Sequence, residues 1–435
     1  MEYSSIDIFC QCIDNFGDAG VTYRFAKEFK AARPDCRVRL FIDNMYTLHA
    51  IESGIDPAKD VQEYESVTYV RMYKDFDPAE SGMGVADVLV EAFACDIPEK
   101  AFRTALNRSK LIINLEYLTA EDWVEEYHLF ESLLGSGAAR KFFFLPGFRE
   151  TTGGLIINSK LRAMLEGGGL DRLAVINGVV GGFGVSVRPE DETLVGTVFT
   201  YERGFDTLIS DLVEFGRDTL LIVFGEKSRR GMAASLGRLS GGSPPCEGSA
   251  EYYKDPCHAY KNVRILYAPF IPQHDYDTLL CCADFNLVRG EDSLARAVLS
   301  GKPFIWHAYV QAEKHQRVKA EALLKTMRPY YRESGSEEGV FADYGALVME
   351  YNEADGKSTD QATSERYGAF FKDLKKHERA ALAMNYFMHR SCDLIAKFRD
   401  FLDRYPESAP SADKRANMRD PLQMREYTTI INKRI

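Results

Sequence analysis

Short apolar runs and helical spacings alternate along most of this chain. IDIFCQC (6–12) is apolar at most positions, the pattern of a strand buried on both faces. The turn DNFGDAG (14–20) follows it. Val21, Phe25 and Phe29 then recur every fourth residue, one face of a helix that ends before Pro34. VRLFID (38–43) predicts the next strand. SVTYV (66–70), ADVLVEAF (86–93), KLIINLEYL (110–118) and KFFFLPGF (141–148) predict further strands, with a helix over AEDWVEEYHLFESLL (120–134). A second series runs through VGTVFTY (195–201), TLLIVFG (219–225), VRILYAPF (263–270), ADFNLV (283–288) and KPFIWHAY (302–309). Strands alternating with helices predict an α/β fold with mainly parallel sheets covered on both faces. Between the two series, the glycine-rich stretch 167–188 shows no strong helical period and reads as the crossing between domains. After 310 the pattern is helical, above all at 378–405.

Composition narrows the function classes. The net charge of −11 argues against general nucleic-acid binding, which needs a basic footprint on the phosphates. Nine cysteines without a CxxC pair or zinc-ligand spacing suit a reduced compartment. The first residues carry no basic stretch followed by an apolar one, and no apolar run approaches the ~20 residues that span a bilayer. The expectation is a cytoplasmic protein without a membrane partner.

Two polar clusters stand where strands hand over to helices. In RGEDS (289–293), the strand ADFNLV has just ended and the helix SLARAVLS is about to begin. Unpaired N–H groups and a positive dipole end are expected there. Arg289 adds a planar donor fork, and Gly290 lets a ligand approach the backbone. The combination suits a phosphate or diphosphate, with Glu291 free to accept from sugar hydroxyls. The alternative is a helix capped by Asp292 or Ser293 and an ordinary surface ion pair. Gly301 is placed to end that helix in the left-handed conformation.

The second cluster is DNFGD (14–18), where Asp14 and Asp18 flank a glycine turn. Paired acids there suit a base with its orienter, or a grip on a guanidinium. Turn formation and helix capping remain the plainer reading. A dinucleotide site is a further option, weakened by the lack of a full G-x-G-x-x-G. Glu116 and Tyr117 end a strand on the same rim, Tyr201 could stack on a base, and Gln273 could hydrogen-bond one. His307 and His315 have no metal-partner spacing.

The segments DIFCQCIDNFGDAGVTYRFAKEF, INLEYLTAEDWVE, FFLPGFRETTGGL, YAPFIPQHDYDTLL and DFNLVRGEDSLARAVLSGKPFIWHAYVQ occur in an order that resembles the EarP family, from about residue 6 to about 400. These are protein-arginine rhamnosyltransferases that modify translation elongation factor P. The resemblance implies a GT-B fold of two Rossmann-like domains facing across a cleft. It implies residues 1–180 as the acceptor-side domain, 181–375 as the nucleotide-sugar domain, and 376–405 as a C-terminal helix packing back on the first domain. Residues 406–435 have no counterpart, and their composition reads as a mobile tail. The implied reaction transfers L-rhamnose from dTDP-β-L-rhamnose to an arginine of elongation factor P, inverting the anomeric centre. No metal or other cofactor is expected. By motif, Asp18 matches the general base and Asp14 its partner acid. Glu291 matches an essential acid of the donor loop. Asn15, Phe16, Gly17, Tyr201, Gln273, Arg289, Gly290, Asp292 and Ser293 match donor-side positions, with Glu116 placed on the acceptor side. A GT-B transferase with another donor or acceptor, or a nucleotide-binding regulator without turnover, remains the alternative.

Overall fold

The computed structural model describes residues 1–13, 16–132, 139–188, 192–241, 257–310, 315–353 and 366–405. Two sheets organise them. The first is built from β1 (Ser5–Cys10), β2 (Arg37–Ile42), β3 (Val61–Tyr64), β4 (Val67–Arg71), β5 (Val88–Ala92), β6 (Leu111–Leu115), β7 (Glu131–Ser132) and β8 (Arg140–Phe144). Their order is β3-β4-β2-β1-β5-β6-β8-β7. The six inner strands run parallel, and only the edges β3 and β7 are antiparallel. The second sheet is built from β9 (Leu194–Val198), β10 (Thr219–Val223), β11 (Cys257–Tyr260), β12 (Val263–Tyr267), β13 (Phe285–Arg289) and β14 (Phe304–His307), in the order β11-β12-β10-β9-β13-β14.

Both orders reverse beside their first strand. β1 lies between β2 and β5, and β9 lies between β10 and β13. In open α/β sheets that reversal opens a crevice at the carboxyl ends of the strands. The loop after β1 and the loops after β9 and β13 therefore occupy the two ligand-binding positions of the fold.

The sequence misplaces the crossing between domains. Residues 167–188 contain helix Arg172–Val180, capped by Asp171, whose side chain accepts from Ala174 N at 3.0 Å. Its Ile176 and Val180 are buried in the core of the second domain. The chain crosses earlier, around Leu155, where it meets the returning C-terminal segment. Leu155 N donates to Cys392 O (2.7 Å), and Leu394 N donates to Leu155 O (2.9 Å). Gly154 has φ +80°, and a Cβ there would collide with the Cys392 backbone, so this paired crossing needs glycine.

The expected single helix over 376–405 is two helices, Leu374–Ser391 and Leu394–Arg404. Asp393 breaks them apart by capping the second, accepting from Ala396 N at 3.1 Å. The first packs on the second domain through Met384 and Met388. The last returns to the first domain, where Phe398 meets Phe25, Phe29 and Phe144 edge-on. The helix expected over 120–134 is only Trp123–Tyr127. His128 ends it by accepting from Leu145 N (3.0 Å), and Leu129 turns to φ +62°. The tail 406–435 lies outside the described residues.

Candidate active site

Helix Phe16–Ala32 starts directly after the loop that leaves β1. Asp18 is thus in its first turn, and the side chain is buried. Oδ2 accepts from Ile13 N at 2.9 Å, and Oδ1 accepts from Tyr117 Oη at 2.8 Å. These bonds fix the carboxylate's orientation at the crevice mouth. Tyr117 stacks on Phe93 with ring centroids 4.3 Å apart. Phe93 and Ala94 both have positive φ, 57° and 48°, without being glycine. That is a strained turn on the rim of the site. Burial raises the Tyr117 phenol well above its ordinary range. The charges of Asp18 and, from the second domain, Glu291 add to the rise. Asp14 and Asn15 lie outside the described residues. Gly17 is half-buried in the same first turn, and Phe16 is exposed beside it.

On the second domain, β13 ends at Arg289 and the next helix spans Gly290–Ser300. The helix starts earlier than the sequence suggests. Arg289 occupies the capping position without a side-chain cap, so neither Asp292 nor Ser293 caps it. Gly290 has φ +64°, and a Cβ there would lie 3.2 Å from Tyr201 Oη. Gly301 ends the helix at φ +69°. The Arg289 guanidinium lies 4.3 Å from the Phe199 ring and 5.0 Å from the Tyr201 ring, and donates to Thr200 O at 3.2 Å. The rings hold a cation beside the first N–H groups of the helix, an arrangement suited to an anion.

Tyr201 has His307 and Tyr309 edge-on to it, at 5.3 Å and 5.5 Å. His307 is buried, and neither ring nitrogen has a hydrogen-bond partner among the described residues. Burial, with the charges of Arg203 and Arg289, holds it neutral well below the usual imidazole range. Glu291 pairs with Lys319 at 3.0 Å. Ser293 is buried beside Tyr276.

The remaining candidates are divided between the cleft and its surroundings. Gln273 faces Gly20 of helix Phe16–Ala32, where a Cβ would lie 2.6 Å from its Nε2, and its Oε1 has no hydrogen-bond partner among the described residues. Asp292 forms an ion pair with Arg24 of the first domain and lies 3.1 Å from Arg296. Glu116 directly precedes Asp18's partner Tyr117, and its carboxylate accepts from the Tyr117 backbone N–H. It accepts from Asn114 Nδ2 at 2.7 Å, near the Glu91–Lys141 pair. Phe16 lies 5.3 Å from Phe270 of the second domain, ring to ring. The sequence reading missed Arg24, Lys319 and Phe270. Arg24 follows Phe16 and Gly20 at four-residue steps, a spacing that marks one helix face; nothing marks Lys319. Among the described residues, no group of three His, Cys, Asp or Glu could hold a metal ion, and no helix is long and apolar enough to cross a membrane.

Two Rossmann-like domains, one carrying an oriented carboxylate and the other a cationic helix end, face each other in the GT-B fold. Residues 6–403 match the family described as Elongation-Factor P (EF-P) rhamnosyltransferase EarP, and the chain belongs to that family. It is 35% identical to the protein-arginine rhamnosyltransferase of Pseudomonas aeruginosa, over 74% of this chain and 81% of the relative. It is 30% identical to that of Neisseria meningitidis serogroup B, over 74% and 79%. The fold matches a solved structure described as the structural basis for EarP-mediated arginine glycosylation of translation elongation factor EF-P. The TM-score is 0.57 at 22% identity, over 92% of this chain and 99% of that one.

Proposed function

We propose that this protein moves L-rhamnose from dTDP-β-L-rhamnose to an arginine side chain of translation elongation factor P, with inversion, in the cytoplasm. Membership of the family and the names of its relatives support the acceptor and the sugar. One observation carries the reading for this chain: in the helix that holds Asp18, Phe16 meets Phe270 ring to ring at 5.3 Å and Arg24 pairs with Asp292, so carboxylate and donor loop share one gap.

The acceptor arrives as a delocalised cation and is a poor nucleophile. Asp18, with Asp14 as its partner acid, holds the guanidinium fork and concentrates positive charge on one nitrogen. The other nitrogen attacks C1 of the sugar as the bond from C1 to the phosphate oxygen breaks. Its proton passes to Asp18 as the new bond forms, because a free neutral guanidine is inaccessible with a pKa above about 12. Glu291, whose charge is shared with Lys319, helps balance the positive charge that develops on the sugar. The departing dTDP takes the electron pair and is stabilised by Arg289 and the amino end of helix Gly290–Ser300. Tyr201 and Gln273 flank the nucleotide, and no metal takes part.

Incubation of the purified chain with dTDP-β-L-rhamnose and elongation factor P tests this reading. Intact-mass spectrometry is expected to show one deoxyhexose added to the acceptor, with chelator present. Nucleotide binding without any mass gain would favour a regulator, and a gain only with another sugar nucleotide would redirect the donor.

A further inference from the structure

Helix Phe16–Ala32 uses two faces. Phe25 and Phe29 enter the first domain's core. The other face presents Phe16, Gly20, Arg24 and Glu28, one every fourth residue. Phe16 meets Phe270, Gly20 meets Gln273, Arg24 meets Asp292, and Glu28 accepts from Ser159 N at 3.2 Å. The helix that carries Asp18 is therefore seated along its length on the second domain and the segment leading into it.

The ion pair in this seam touches the donor loop. Arg24 is buried and pairs with Asp292, in the first turn of helix Gly290–Ser300. Asp292 also meets Arg296 (3.1 Å), which meets Asp277 (3.2 Å), and Asp277 accepts from Asn158 Nδ2 (3.2 Å). Arg24 and Glu28 belong to the first domain, whereas Asp277, Asp292 and Arg296 belong to the second. Separating the domains would remove a cation from a carboxylate close to the anion-binding helix end. Arg296 would then be left to serve both Asp292 and Asp277, and the net negative charge beside the helix end repels a diphosphate, the more so at low local dielectric.

We propose that Arg24 is a positioning residue for the donor: by neutralising Asp292 when the domains close, it couples closure to the affinity of the donor loop for a nucleoside diphosphate. The coupling is reciprocal, so a bound diphosphate favours the closed arrangement in which Asp18 faces the sugar. The inference rests on the reading of residues 289–293 as the donor loop.

Calorimetric titration of the full-length chain with dTDP tests it. Arg24→Gln is expected to weaken binding about tenfold, within the usual range of coupling between sites. Arg24→Lys, which keeps the charge, should recover most of that loss. In an Asp292→Asn background, Arg24→Gln should change affinity by less than about twofold, the scatter of independent sites. Equal losses from Arg24→Gln with and without Asp292 would overturn the coupling, as would parental affinity in Arg24→Gln itself. If Arg24→Gln alone does not fold, the double variant against Asp292→Asn still decides, because a loss of more than about twofold between them would overturn the coupling. Arg289→Ala separates the two levels. Unchanged dTDP affinity in that variant means the donor-loop reading fails, whereas a loss there with none in Arg24→Gln means only this inference fails.

Discussion

The Tyr117 hydroxyl donates a 2.8 Å hydrogen bond to Asp18 Oδ1, joining the end of one strand to the first turn of the helix after another. With Ile13 N on the other oxygen, it leaves the carboxylate little rotational freedom. Tyr117→Phe keeps the stack on Phe93 and deletes only this bond. It is expected to lower kcat roughly tenfold while leaving dTDP affinity unchanged, the signature of a lost orienting contact. Parental kcat in this variant would show that Asp18 needs no such support.

Asp18→Asn preserves the shape of the group and removes its basicity. Turnover should fall by about 10²–10⁴, the usual contribution of a positioned base. Calorimetry should find dTDP binding intact, since the proposed nucleotide site lies on the other domain. A rate within a few-fold of the parent would remove Asp18 from the role of base.

Arg289 is held between Phe199 and Tyr201 beside the helix end. Arg289→Lys keeps a cation but loses the planar fork and its fit against the rings. It should weaken dTDP by roughly tenfold, the worth of a charge-assisted bond or two, while thymidine, which lacks the diphosphate, binds as before. An equal loss for both ligands would point to a distorted loop.

Glu116 gives a pH dependence of stability. Burial raises its carboxyl from 4.5 to about 7, opposed by the bond from Asn114, furthered by the charge of Glu91 and opposed by that of Lys141. Between those values the native state keeps a proton that the unfolded chain has released. Stability therefore falls as pH rises through this window, and the full cost, about 3 kcal/mol, is present above it. Glu116→Gln retains an acceptor for Asn114 without the charge. Its Tm should gain on the parent between about pH 5 and pH 8 and plateau beyond. A difference that stays constant over that range would contradict the account.

Much of this site is local and therefore legible. Strand β13, the residues of RGEDS and the Gly301 stop follow one another in sequence, so apolar run, polar turn and left-handed glycine mark them together. The helix start was misjudged because Asp292 looks like a cap, while its partners are Arg296 one turn on and Arg24, distant in the chain. Tertiary pairing also hid the crossing at Leu155, whose bonds to Cys392 and Leu394 leave no local signal. The short edge strands β3, β7 and β11 are half-polar, and only their neighbours make them strands. The helix expected over 120–134 failed because His128 and Leu129 are held by contacts with β8 and the segment after it.

The anomeric configuration of the product tests the central claim most directly. In the proposed reaction, with Asp18 as base on one domain and the leaving group held on the other, the nitrogen attacks C1 from the face opposite the phosphate. NMR of glycosylated elongation factor P, made from dTDP-β-L-rhamnose, should show the sugar attached to an arginine nitrogen solely in the α configuration. A β-linked product would mean that displacement does not run across the gap between Asp18 and Arg289.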